Sequence, residues 1–178
     1  MAKLIYSATM SLDGYIAGPG GDMSWMSDLP VEADDRVVDR LLRGIGALLV
    51  GNTSHRGDDP NRGSDAEGAF GGRYDGPVVV LAHHPPAVPE PGVVFSNELH
   101  EAIGLAKAAA GEHEYVNIIG ADAARQCREA GELDEILLFI APVLLGDGTR
   151  AFPGASDRAT RLEPLPGVDA HWYRVERA

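Results

Sequence analysis

Short runs of consecutive apolar residues alternate with stretches whose apolar residues recur every three or four positions, from one end of the chain to the other. Leu4 to Thr9 reads as a first strand, followed by the turn-like step Ser11-Leu12-Asp13-Gly14. Val37, Val38, Leu41, Leu42 and Ile45 share a helical face, broken by Gly44 and Gly46 before a buried strand, Ala47 to Val50. Val78 to Leu81 is a strand bounded by Gly76-Pro77 and Pro85-Pro86, and Val93 to Phe95 is another. Leu99, Ala102, Ile103 and Ala106 mark a helix with Ser96 or Asn97 as its expected cap. Tyr115 to Ile119 is a strand, and Ala123, Cys127 and Ala130 trace a helix that stops at Gly131. Ile136 to Ile140 and His171 to Val175 complete the strands. Strands separated by helices pair in parallel through right-handed crossovers. The expectation is an α/β chain with a central, mostly parallel sheet flanked by helices.

The chain has 178 residues, the size of one domain, and neither repeat nor linker interrupts the pattern, so residues 1–178 are read as a single domain. One segment stands apart. Asn52 to Asp75 is rich in Gly, Asp, Asn and Arg and poor in apolar residues, and it is expected to be a long loop, mobile without ligand and either functional or disordered.

The net charge of −12 opposes a phosphate backbone or an anionic membrane surface, both of which are held by basic residues. Neither nucleic acid nor membrane is an expected partner. Cys127 is the one cysteine, so no intramolecular disulfide forms, and its place on an apolar helical face makes it a small core residue. No apolar run reaches the ~18 residues of a spanning helix, and the cytoplasm is the expected compartment. Six histidines are present without a cysteine cluster or metal-ligand spacing, and no metal site is expected.

Three stretches follow strand ends, where open α/β sheets build ligand crevices. Asp13 has a carboxylate there, suited to accept hydrogen bonds from an amino-heterocycle or to pass a proton through water. Asp-Gly is equally ordinary turn chemistry. Gly51-Asn52-Thr53-Ser54 leads a strand into a helix start, which presents backbone N–H groups to phosphate, although Asn, Thr and Ser also cap helices. Ile118-Ile119-Gly120-Ala121-Asp122 repeats the arrangement, with Gly120 allowing close approach of a pyrophosphate or simply making a turn.

Four segments in order carry a resemblance to a known family. They are Met10-Ser11-Leu12-Asp13-Gly14-Tyr15-Ile16-Ala17; Leu49-Val50-Gly51 with Asn52-Thr53-Ser54; Leu81-Ala82-His83-His84-Pro85; and Gly120 to Gln126 with Ala130-Gly131, Leu133-Asp134-Glu135 and Ala141 to Gly148. In order and spacing they resemble the C-terminal reductase domain of the riboflavin-pathway deaminase-reductases. That resemblance implies a dihydrofolate-reductase-like three-layer fold, an NADPH-dependent reductase of small heterocycles, and a homodimer. It implies that Asp13 is catalytic and binds substrate, and that Glu135 lies near the substrate or braces the sheet end. It puts the nicotinamide carboxamide near Ala8 and the adenosine beside Ala82, His83 and His84. The phosphates fall to Gly51, Asn52, Thr53 and Ser54 and to Gly120, Ala121, Asp122 and Ala123. Two positions depart from the family pattern. Asn52 stands where the family has an arginine for the 2′-phosphate, and Ile119 stands for the first of two glycines. NADH is therefore a possible second cofactor, and a non-catalytic small-molecule-binding protein on the same fold is the competing reading.

Overall fold

Valine, isoleucine and leucine fill the central strands so completely that neither face is left for water. The strand β3 (Ile45–Gly51) is buried from Ile45 through Val50. A strand of this composition needs a layer on each side, which parallel crossovers supply. In this computed structural model all residues are described except 28, 30–34, 58, 60, 89–90, 155–158, 167–169 and 177–178.

The remaining strands are β1 (Lys3–Ser11), β2 (Tyr15–Ala17), β4 (Val78–Leu81), β5 (Val93–Ser96), β6 (Tyr115–Ile119), β7 (Leu133–Ala141), β8 (Thr149–Arg150), β9 (Leu162–Pro164) and β10 (His171–Val175). The helices are α1 (Asp35–Gly44), α2 (Asn52–Arg56), α3 (Ala69–Gly72), α4 (Leu99–Ala110) and α5 (Ala121–Glu129). Eight strands form one sheet in the order β5-β4-β3-β6-β1-β7-β10-β9. β5 through β7 in that order are mutually parallel, and β10 is antiparallel to both β7 and β9. The expected mostly parallel α/β sheet is thus observed. β2 and β8 form a separate two-stranded antiparallel ribbon that the sequence pattern did not reveal.

One face of the sheet packs Leu4, Tyr6, Leu49, Val116, Ile118 and Ile136 under Ala102, Ile103 and Ala106 of α4 and Ala123, Ala124 and Cys127 of α5. Cys127 is fully buried, as expected of a core residue. The small residues let both helices approach closely. The other face packs Ile5, Leu48, Val50, Val80 and Leu137 against Val37 and Leu41 of α1 and against Trp172. Full burial of each Val, Leu or Ile contributes about 1.5–3 kcal/mol, so both layers are held mainly by this contact.

Three expectations need correction. Ile45 and Gly46 begin β3 rather than ending the preceding helix. Gly46 serves a close approach: a Cβ there would meet the Ala110 carbonyl at 2.4 Å. The cap of α4 is Glu98, not Ser96 or Asn97, because its longer carboxylate reaches the N–H groups of His100 (3.0 Å) and Glu101 (2.6 Å). Ser96 instead donates to the Glu101 carboxylate at 2.5 Å. Finally, Asn52 to Asp75 is not one unstructured loop. It begins as α2, and its polar side chains then bind its own backbone: Asp59 accepts from Asn61 and Gly68, and Glu67 from Gly63. Phe70 anchors the far end among the apolar residues of the second face.

Candidate functional site

The parallel strands all end on one edge of the sheet, and there they part. β1 pairs with β6 only as far as Tyr6 with Ile118, whereas on its other side it stays paired with β7 through Ser11 with Ala141. Beyond Ser7, β1 therefore runs on past the end of β6, with the Ser7 hydroxyl donating to Asn117 Oδ1 (2.7 Å). No sequence pattern signals this difference in pairing, because strand pairing is a relation between distant segments. It places Ala8 and the end of β1 beside the residues that follow β6 on the same sheet edge.

At the same edge two strand-to-helix turns pack together. A Cβ on Gly120 would lie 2.5 Å from Ser54 Oγ, and one on Gly51 would lie 3.5 Å from the Cβ of Ala123. Gly120 has φ +105°, which an L side chain adopts only under strain. The described residues include no cis peptide bond, so the Ile119–Gly120 link is trans. Neither α2 nor α5 has a side-chain cap on its first N–H groups. Asn52 Oδ1 is buried there without a hydrogen-bond partner. The geometry thus brings Gly51, Asn52, Thr53 and Ser54 together with Gly120, Ala121 and Ala123.

Asp122 opens α5 with a negative charge. Burial pushes its carboxyl up, but hydrogen bonds from Arg125 (2.7 and 2.9 Å) and Gln126 (2.9 Å), with the charge of His83, outweigh this and hold it below its ordinary value. His83 acts on Asp122 from beyond the end of β4, on the same edge. Ala82 is buried, and His83 and His84 are exposed. Among the described residues no three His, Cys, Asp or Glu side chains converge as metal ligands would.

Asp13 lies beyond the end of β1 on this edge. Its carboxylate accepts from Ser11 Oγ (2.6 Å) and from the backbone N–H groups of Leu145 (3.1 Å) and Gly146 (2.7 Å). Led by the Ser11 hydrogen bond, these partners lower its pKa to about 2. At neutral pH the group is an acceptor without a proton to give. Ser11 was overlooked at the sequence level; the signal was a serine two positions before an Asp-Gly turn, a common side-chain turn motif.

Glu135 does not share this site. It pairs with Ile5, six residues before Ser11 along β1, and so lies about 20 Å away at ~3.3 Å per residue. It is 1% exposed and accepts from Lys3 Nζ (2.8 Å), Tyr115 OH (3.1 Å) and Trp172 Nε1 (2.8 Å). Burial first, with neighbouring carboxylates, pushes the Tyr115 hydroxyl well up, and the Glu135 bond raises Lys3. Of the two expected roles, near the substrate or bracing the sheet end, these contacts match the brace. The two open depressions lined by Arg40, Arg43 and Glu112, and by Lys3, Asp134 and Arg174, also lie at this opposite edge.

A mostly parallel sheet ending in an antiparallel pair, with two strand-to-helix turns packed together at its strand ends, is the fold of dihydrofolate-reductase-like reductase domains. Solved structures agree. A riboflavin biosynthesis protein assigned from a Shewanella species superimposes with TM-score 0.72 at 23% identity, covering 99% of this chain and 100% of its own. A Thermotoga maritima diaminohydroxyphosphoribosylaminopyrimidine deaminase/5-amino-6-(5-phosphoribosylamino)uracil reductase gives 0.60 at 17%, covering 98% of this chain and 55% of that one. This chain thus spans about half of that two-function protein. Dihydrofolate reductase from Enterococcus faecalis, complexed with NADP(H) and RAB-propyl, gives 0.52 at 17%, over 97% and 94%. No curated protein matches the sequence significantly. The RibD C-terminal domain model matches residues 2–167, and the chain belongs to that family.

Proposed function

We propose that this chain is a reductase that uses NADPH, with NADH tolerated, to reduce a C=N or C=O group of a small pteridine- or pyrimidine-like heterocycle. The observation that carries the reading is the packing of two uncapped strand-to-helix turns, at Gly51 and Gly120, at the edge where β1 runs on past the end of β6. Helix starts left without caps suit the phosphates of a dinucleotide, and the orphaned Asn52 Oδ1 is a buried acceptor that a ligand hydroxyl would satisfy. The Thermotoga relative's named reaction on an aminouracil supports the substrate class.

In this reading Gly51 to Ser54 and Gly120 to Ala123 hold phosphates, Ala82 to His84 flank the adenosine, and Ala8 meets the carboxamide. The nicotinamide supplies the hydride when bound. Asp13, ionised, accepts an N–H from the substrate and orients its acceptor carbon. A homodimer, which the family resemblance implies, and a cytoplasmic setting, expected from the sequence, are further parts of the proposal.

A second reading, a non-catalytic binding protein, is favoured by one observation: the α5 start that would face phosphate carries Asp122. Calorimetric titration with NADPH, NADH, FMN and FAD, followed by NADPH-oxidation assays with aminouracils and pterins, separates the two. Binding and oxidation of NADPH support the reductase. Ligand binding without turnover favours the second reading, and failure of both nicotinamide nucleotides to bind overturns the first.

A further inference from the structure

The segment 142–148 is fastened at both ends by the backbone. At one end Leu12 N–H donates to the Val143 carbonyl (2.9 Å) and Val143 N–H to Ala141 (2.8 Å). At the other, Thr149 and Arg150 pair with Ala17 and Tyr15, and Ala151 N–H donates to Gly14 (2.9 Å). Gly148 lies so close to β2 that a Cβ there would meet the Ala17 carbonyl at 2.1 Å. Between these anchors the backbone N–H groups of Leu145 and Gly146 both go to the Asp13 carboxylate. Leu144 and Leu12, chain neighbours of that clasp, are 72% and 66% exposed.

We infer that Asp13 is a positioning residue, clasping the 142–148 loop to the end of β1 so that Leu144 stands as an apolar wall of the substrate site. This rests on the reading of that sheet edge as the substrate end. A carboxylate offers about four acceptor positions. Three are taken, two on Oδ1 and one on Oδ2, which leaves one for a ligand N–H. The clasp and the wall together select a flat ring with an apolar face and an N–H edge. Asn at position 13 fits the same space, yet its amide nitrogen cannot accept from Gly146.

Amide hydrogen exchange on the full chain tests the clasp. Asp13→Asn speeds exchange at Leu145 and Gly146 by about 10-fold or more and leaves β1, β6 and β7 unchanged. Wild-type protection at these two amides, corrected for intrinsic exchange, holds from neutral pH to about 4 and falls as Asp13 takes up its proton. Asp13→Asn lacks that fall. The other charged groups of the loop and β8 are Asp147, which accepts from Gly148 (2.7 Å), and Arg150, over the Tyr15 ring. Asp147→Asn is therefore the control, and it keeps the fall. Unchanged exchange at 145–146 in Asp13→Asn, acceleration spread through the sheet, or a pH-dependent fall that survives in Asp13→Asn overturns the clasp.

The wall is tested with 5,6-diaminouracil as probe, read by methyl shifts of Leu12 and Leu144. Asp13→Asn and Leu144→Ala each weaken its binding about 10-fold, and Leu144→Ala leaves exchange at 145–146 as in wild type. Equal affinity in either variant, or no binding to wild type, overturns the wall. None of these readouts involves a nicotinamide, so the cofactor titration above can fail while they hold, and the reverse.

Discussion

The carboxylate of Asp13 accepts the backbone N–H of Gly146 at 2.7 Å across 133 positions of sequence. With the Ser11 and Leu145 bonds it lowers the Asp13 pKa from its ordinary value to about 2. A carboxylate depressed in the folded state contributes stability that is complete above its unfolded pKa, near 4, and is lost as pH falls through the folded value. Acid unfolding of the wild type should therefore steepen between about pH 4 and pH 2. Asp13→Asn should show a shallower fall in that window, with circular dichroism at fixed urea as the measurement. Identical curves would mean that the clasp does not persist in solution.

Asn52 begins α2 with an uncharged side chain whose Oδ1 has no partner. Asn52→Arg should tighten NADPH by about 1–3 kcal/mol, the scale of a charge-assisted bond, and leave NADH nearly unchanged. Calorimetry with both nucleotides checks this. Equal tightening of the two, or of neither, would place residue 52 away from the 2′-phosphate.

Gly120 combines φ +105° with a close neighbour in Ser54 Oγ. Gly120→Ala should cost about 1–3 kcal/mol of stability, measured by urea unfolding. The double variant with Ser54→Ala should recover only part of the loss, because it removes the clash and leaves the backbone strain. Full recovery would show that crowding alone fixes this glycine.

Glu135 is the common acceptor for Lys3, Tyr115 and Trp172. Glu135→Ala orphans the two buried donors, while Lys3, 42% exposed, returns to water. The expected loss is about 1–3 kcal/mol in urea unfolding, with nucleotide affinity of the folded protein unchanged. A change in affinity without loss of stability would return Glu135 to the ligand site.

The sequence by itself determined the layers and the strand ends. Unbroken apolar runs such as Ala47 to Val50 require cover on both faces, and helical spacing at Ala102, Ile103 and Ala106 supplies it, both being local consequences of side-chain period. It also put Asp13, Gly51 to Ser54 and Gly120 to Ala123 after strand ends, since turn and cap chemistry is written in adjacent residues. Tertiary structure alone decided which strand ends lie side by side. Whether β6 lies beside β1 or beyond it, and where the two part after Tyr6 and Ile118, depends on pairing between segments more than 100 residues apart. The same holds for Glu135, which follows a motif in the sequence yet points into a cluster of Lys3, Tyr115 and Trp172 at the opposite edge. A strand has two ends about 3.3 Å per residue apart, and sequence proximity to a motif does not say which end a side chain serves.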